Sequence, residues 1–589
     1  MLRRLRAGAL ALVGCLVVAG MSVARPETAS AQSPLPCALP HGNSEVTRSG
    51  PYEIAEPEVV ELESEADGSV IQIGFVRPDA SPGYRSPVIL HASPYFTTDL
   101  RDVDVRDCNP FLVQNFVPHG YTIAFVPTRG AGGTDSCADL MGPLERADLD
   151  QAVTWLGTQK WSNGNVGMTG VSYDGSTPWE VAAMGNRHLK TIVPGSGIHD
   201  IYKFVYDRGH NDWRWWFFVS GYYHYYGLVQ SNPVGGRDPD RWASSVLCDS
   251  TEEGLAATFQ SYLTGQHDQF GYWKDRNTDP DILKRYRGSV LLVQGLQDWN
   301  VSPDHQWPFI NELAKRGVYV EQMLGQWDHA YPDSAHGAGP RADYADILLE
   351  WWNRWLKGDR RADLGARVEV QDSDMQWRSE TAWPPADTTR EKLYLTADNT
   401  LSEMPDQGEA TALLGPGTRN RYFYVITDNM FIYNDAPIDH YCVDCAMLST
   451  TIEADELRLV GIPELELKVT PSGPGGFVAA YLIRVDGDGV WNLLGWGAND
   501  LRFPDAEGDP QPVQPGQEIS LKVPLQPLDA VIHKGEQLVL ILDQGHADHI
   551  PTLPFFPVEL RYGGDLGTLE FDTTTPAARD FFVPPVIEE

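Results

Sequence analysis

A chain of 589 residues is too long for one hydrophobic core and calls for two or three domains. Its 81 Asp and Glu against 45 Lys and Arg give a formal charge of −36, a surface that repels nucleic acid and anionic lipid and argues against both as partners. Hydrophobic residues at 42% supply ample core, and 18 Trp with 24 Tyr point to aromatic-lined pockets or surfaces.

The first segment reads as an export signal. Arg3, Arg4 and Arg6 precede an apolar run over 7–20, and the small residues ending at Ala31 suit cleavage there, so 1–31 is expected to leave a secreted protein with no membrane contact. The run is shorter than the roughly 20 residues of a membrane span. Lipid attachment at Cys15 is the rival, disfavoured because apolar residues continue through Val18. Cleavage leaves Cys37, Cys108, Cys137, Cys248, Cys442 and Cys445, an even set suited to disulfides whose pairing stays open. The Cys442/Cys445 pair has no second ligand pair nearby, so no metal is expected.

Residues 32–200 and 286–362 alternate strand and helix patterns. Nearly continuous apolar runs at 69–78, 87–95, 121–130, 165–172 and 190–197 predict strands buried on both faces, and 143–159 predicts an amphipathic helix with an acidic first turn. The pattern resumes with a strand from 289, a helix over 304–317, a strand over 318–324 and a helix over 345–358. This alternation predicts a mostly parallel sheet with helices on both faces. Residues 201–285 interrupt it with an aromatic-rich helical insertion, placed as a pocket-forming cap. From 363 to 589 strand-like runs and Pro/Gly/Asp turns predict an all-β jelly roll. DGDG at 486–489 lacks the other ligand positions of a calcium loop and reads as a hairpin turn.

The segment GVSYDG, 170–175, carries the chemistry. A serine on a tight strand-to-helix turn needs glycine near positions two before and three after it, where side chains would collide; Gly170 and Gly175 stand there around Ser172. The turn aims the Tyr173 amide where it can stabilise an oxyanion. A serine nucleophile needs a base and an orienting acid, which α/β-hydrolases place later in the chain in the order acid, then His. Asp298 follows the strand from 289 and His329 follows the next one; Asp328 and His336 are the rivals.

With these pieces, GVSYDG, RGAGGTDS (129–136), SPY (93–95), GLQDWNVSP (295–303) and GQWDH (325–329), the chain resembles the cocaine esterase/X-Pro dipeptidyl-peptidase (S15, CocE/NonD) family of serine hydrolases. The segment at 459–470 resembles that family's C-terminal, galactose-binding-like jelly roll. The resemblance implies an α/β-hydrolase fold, no cofactor, and a second oxyanion donor in the Tyr95 hydroxyl; relatives more often have Asn where Ser93 stands. It implies a peptide or small acyl substrate and leaves oligomeric state open. Release of N-terminal Xaa-Pro dipeptides is the leading expectation, with Asp174, Glu180, Asp207 and Asp212 as candidate anions for the substrate ammonium. A carboxylesterase or amide hydrolase is the alternative, and a non-catalytic glycan-binding protein is the alternative of another class.

Overall fold

In this computed structural model the described residues are 42–586, apart from 97, 207–210, 213–248, 265–270, 299, 335–340, 416–431, 434–443, 545–548, 551–555 and 575–579. The signal, the lipid-attachment alternative at Cys15 and most of the aromatic insertion therefore lie outside the described residues. No described helix is long and apolar enough to cross a membrane.

Aliphatic and β-branched runs without polar alternation cannot leave either face in water, and they form the middle of an 11-stranded sheet. Its first ten strands are β1 (Glu58–Glu63), β2 (Val70–Val76), β3 (Ser86–Ser93), β4 (Thr122–Pro127), β5 (Ser162–Val171), β6 (Leu189–Gly195), β7 (Ser289–Gly295), β8 (Tyr319–Gly325), β9 (Val368–Gln371) and β10 (Trp377–Glu380). The spatial order is β1-β2-β4-β3-β5-β6-β7-β8-β9-β10, closed by the terminal strand Asp580–Phe582. From β4 to β9 every pairing is parallel, and antiparallel pairs cap both edges.

Helices cover both faces. Introduced in chain order, they are α1 (Pro110–Phe116), α2 (Pro143–Thr158), α3 (Tyr173–Met184), α4 (Ile201–Val205), α5 (Asp249–Thr264), α6 (Asp279–Arg285), α7 (Phe309–Lys315) and α8 (Tyr344–Leu356). Leu149 and Val153 of α2, Trp179 of α3 and Ile310 of α7 share one core. Phe111 of α1 and Leu348, Trp351 and Trp352 of α8 share the core of the opposite face. The expected helix over 304–317 is broken: a short 3-10 turn at Pro303–His305 and a cis Trp307–Pro308 bond precede α7. Proline lacks the N–H that a helix interior needs, so the regular turn starts after it.

Beyond α8 the chain builds an all-β domain of antiparallel sheets, eight- and five-stranded. Alternate residues of Phe477–Val485, Val478, Ala480 and Leu482, join Leu467 and Leu540 in one core. The change of texture at 363 does not coincide with a change of sheet. Val368–Gln371, Trp377–Glu380 and Asp580–Phe582 extend the 11-stranded sheet, so both ends of the C-terminal region are hydrogen-bonded into it.

Candidate active site

Strand register sets where the loops emerge. Val171 pairs with Gly195, Gly195 with Val293, and Gly295 with Gly325, so β5, β6, β7 and β8 end nearly level on one edge. Parallel strands put the following loops of all four together, the usual place for a site in such a sheet.

Ser172 occupies the turn between β5 and α3 with φ 68° and ψ −128°, a conformation that L-residues avoid. Its N–H donates to the Gly195 carbonyl at 2.9 Å, and its carbonyl accepts from the Ser176 hydroxyl at 2.9 Å. Both glycine expectations have a measurable cause. A Cβ at Gly170 would lie 2.5 Å from the Asp174 Cβ, and one at Gly175 would lie 2.2 Å from the Gly195 carbonyl oxygen. The second contact is backbone on backbone and cannot be relieved by a rotamer change. Gly175→Ala is therefore expected to push α3 off the sheet end, destabilising the fold by about 1–3 kcal/mol, the usual scale of overpacking. Thermal unfolding checks this, and hydrolysis by the remaining folded protein should be impaired as well.

The acid and base expectations meet in space. Asp298 is fully buried and accepts the Asn300 and Val301 amides at 2.8 and 2.9 Å. The His329 Nδ1 donates to its two oxygens at 2.9 and 3.1 Å. That bond consumes the Nδ1 proton and leaves Nε2 as the basic atom of a neutral ring. The His329 side chain is 15% exposed, so the ring sits at the border of the interior and the site. Asp328 does not take this place, and His336 lies outside the described residues.

The two tyrosines differ. Tyr95 follows β3, is half-buried, and packs into the cluster that holds Tyr173, Val301, Tyr206 and Trp273. Its amide donates to the Ser93 hydroxyl at 3.0 Å, which fixes the bend after β3. The Tyr173 amide opens α3 beside Ser172, where helix N–H groups lack intrahelical partners. Its phenol is turned away into the protein: it donates to Glu145 at 2.6 Å and accepts the Met141 amide at 2.8 Å.

Two of the anions considered for a substrate ammonium are committed elsewhere. Asp174 is buried and bonded to His91 Nε2 at 2.8 Å, while the other ring nitrogen of His91 meets the Asn109 side-chain amide. Burial raises the Asp174 carboxyl and the His91 partner pulls it back. Glu180 is fully buried beside Glu145, and burial drives its carboxyl well above the ordinary range. Neither faces an open pocket, because α3 is covered from Tyr173 to Ala183. Asp207 and the side chain of Asp212 lie outside the described residues. Glu145, read only as part of an acidic first turn, is the residue that sequence reasoning missed; a carboxylate in a first helical turn looks the same whether it meets water or a buried phenol.

Comparisons with known proteins agree with this architecture. The model of the X-Pro dipeptidyl-peptidase (S15 family) domain matches residues 67–331, and that of the X-Pro dipeptidyl-peptidase C-terminal non-catalytic domain matches 361–568. A Streptomyces avermitilis protein provisionally named Xaa-Pro dipeptidyl-peptidase is 26% identical, over 82% of this chain and 77% of its own. The cocaine esterase of Rhodococcus sp. is 23% identical, over 83% and 90%. The crystal structure of a CocE/NonD family hydrolase from Staphylococcus aureus superposes with a TM-score of 0.67 at 16% identity, over 88% of this chain and 94% of that one, which supports the fold. The two family models lie side by side along most of the sequence, so both the sheet-and-helix part and the all-β part of the chain are similar to the X-Pro dipeptidyl-peptidase (S15) family of serine hydrolases.

Proposed function

We propose that this protein is a secreted enzyme that releases Xaa-Pro dipeptides from free peptide N-termini through an acyl-enzyme on Ser172. The observation that carries the reading is the Asp298–His329 hydrogen bond at the strand edge where the Ser172 turn emerges. In this mechanism His329 Nε2 takes the Ser172 proton as the oxygen attacks the carbonyl carbon. The Tyr173 amide and the Tyr95 hydroxyl stabilise the tetrahedral oxyanion. His329 then protonates the leaving amine, and water repeats the sequence on the ester while Asp298 holds the ring. Tyr95 and Tyr202, both half-buried against the cluster that holds Tyr173, Tyr206 and Trp273, would supply aromatic wall for a proline ring. Export is supported by the basic and apolar start of the chain and by the even set of six cysteines beyond it, which suits an oxidising compartment.

An esterase reading is favoured by one finding, the similarity to cocaine esterase over most of both chains. Hydrolysis of Gly-Pro-p-nitroanilide, its N-acetylated form and p-nitrophenyl acetate separates the two. The peptidase is expected to cleave the first and to lose about 100-fold or more in kcat/KM on acetylation, because the ammonium then lacks its charge. Turnover of the ester alone would assign the esterase.

A further inference from the structure

Where the first turn of α2 meets α3, two carboxyl groups lie together inside the protein. Glu145 on α2 is 1% exposed and Glu180 on α3 is 0% exposed. Neither oxygen of Glu180 receives a donor from any described group. A carboxylate in that position would carry an unpartnered charge in the interior; a protonated carboxyl donating to its neighbour would not. Glu145 is the natural acceptor, since it already takes the Tyr173 hydroxyl at 2.6 Å. Burial pushes Glu145 up to about 7, against the pull of that phenol, and burial together with the Glu145 charge raises Glu180 well above the ordinary carboxylate range.

The pair is connected to its surroundings. The Tyr173 phenol, bonded to Glu145, belongs to the residue whose own amide borders Ser172, and the same phenol accepts the Met141 amide. Leu140 and Met141 both have positive φ, 22° and 59°, so the phenol holds a strained loop in place. The loop begins at Asp139, which accepts from Ser250 of α5 at 2.9 Å and pairs with Arg276 at 2.5 Å. The charged and titratable groups facing the pair are Asp139 from the loop, Arg146 from α2 and Tyr173 from α3; Arg276 of the insertion, over the Tyr272 ring, pairs with Asp139.

We propose that Glu145 and Glu180 share one proton as a positioning pair, which through the Tyr173 phenol fixes the Tyr173 amide at the oxyanion position and anchors the 139–142 loop that docks the insertion. The assignment rests on the reading of Ser172 and Tyr173 given above. Loss of the shared proton would set two anions side by side, with Asp139 as a third, and Arg146 and Arg276 are the cations available against them.

The test is the pH profile of kcat and KM from about pH 6 to 10 for the wild type, Glu180→Gln and Glu145→Ala, with thermal unfolding followed over the same range. In the wild type kcat is expected to fall on the alkaline side. Glu180→Gln keeps a donor that cannot titrate, so it should hold kcat near the wild-type value at pH 7 and lose the alkaline fall. Glu145→Ala should lower kcat about 10- to 100-fold with KM little changed, the scale of a misplaced donor. Because the folded pair keeps protons that the unfolded chain releases, its contribution to stability is lost as pH rises from the ordinary carboxyl range through about 7, and Glu180→Gln should flatten that loss. If Glu145→Ala does not fold, Glu180→Gln alone decides. Superimposable profiles of Glu180→Gln and wild type, or a wild type without an alkaline fall, would overturn the proposal. Phosphonylation of Ser172 in each protein separates this failure from that of the site: a wild type labelled at Ser172 with superimposable profiles sinks the pair alone, and a wild type unlabelled there sinks the site.

Discussion

Ser172→Ala is expected to lower kcat by about 10⁵- to 10⁶-fold, the scale seen when a triad nucleophile is removed. The fold should not notice the change. Ser172 stands at the N-cap of α3, where serines ordinarily bond back to the helix, yet its side chain makes no capping hydrogen bond. Alanine keeps the Cβ and the amide bond to Gly195, and it meets the same strain at φ 68° that serine does. Unfolding within about 2 °C of wild type is the expected companion result, since no cap, cavity or buried partner is lost. A kinetic assay free of contaminating hydrolase, run beside thermal unfolding, checks both halves. A fall of only tenfold would take the nucleophile's role from Ser172.

Asp529→Ala is expected to cost about 3–5 kcal/mol, the scale of breaking a buried ion network from one side. The Asp529 carboxylate, from the C-terminal domain, is inaccessible to solvent and sits between two guanidinium groups. It accepts from Arg378 at 3.0 Å and through a second, shorter bond, from Arg458 at 3.0 and 3.2 Å, and from the Trp383 indole at 3.2 Å. Arg378 belongs to β10 and Arg458 to the eight-stranded C-terminal sheet, so this one residue ties the two sheets. Removing it leaves two buried cations with Asp372 and Glu380 as the anions still in contact. Burial holds Asp372 up at about 6, with the Asp529 charge adding to the rise, and loss of Asp529 should bring it down. Denaturant unfolding measures the loss. A change below about 1 kcal/mol would show that the network does not hold the domains together.

What could be read from the sequence was decided locally. The Ser172 turn was legible because its constraint acts over five residues: a Cβ at 170 strikes residue 174, and one at 175 strikes the neighbouring strand end. Asp298 and His329 were legible because each follows an apolar strand in a known order, and the structure joins them by a hydrogen bond. Contacts distant in sequence left less trace. Nothing in residues 580–582 announces that they pair with Trp377–Glu380, because an edge strand of three residues carries no period. Asp174 and Glu180 looked available to a substrate ammonium because helix α3 does not alternate apolar and polar faces; it is buried all round, Asp174 is bonded to His91 of β3, and Glu180 lies beside Glu145 of α2. Pro308 was visible and should have shortened the helix expected from 304.

The central claim is that the Ser172 oxygen becomes a nucleophile through His329 and Asp298. Its most direct test is mass spectrometry of the enzyme after reaction with a fluorophosphonate, on the wild type and His329→Ala. The account predicts one phosphonyl group per chain, located on Ser172, with labelling at least about 1,000-fold slower in the variant. Labelling of another residue, no labelling at all, or equal rates in the two proteins would contradict it.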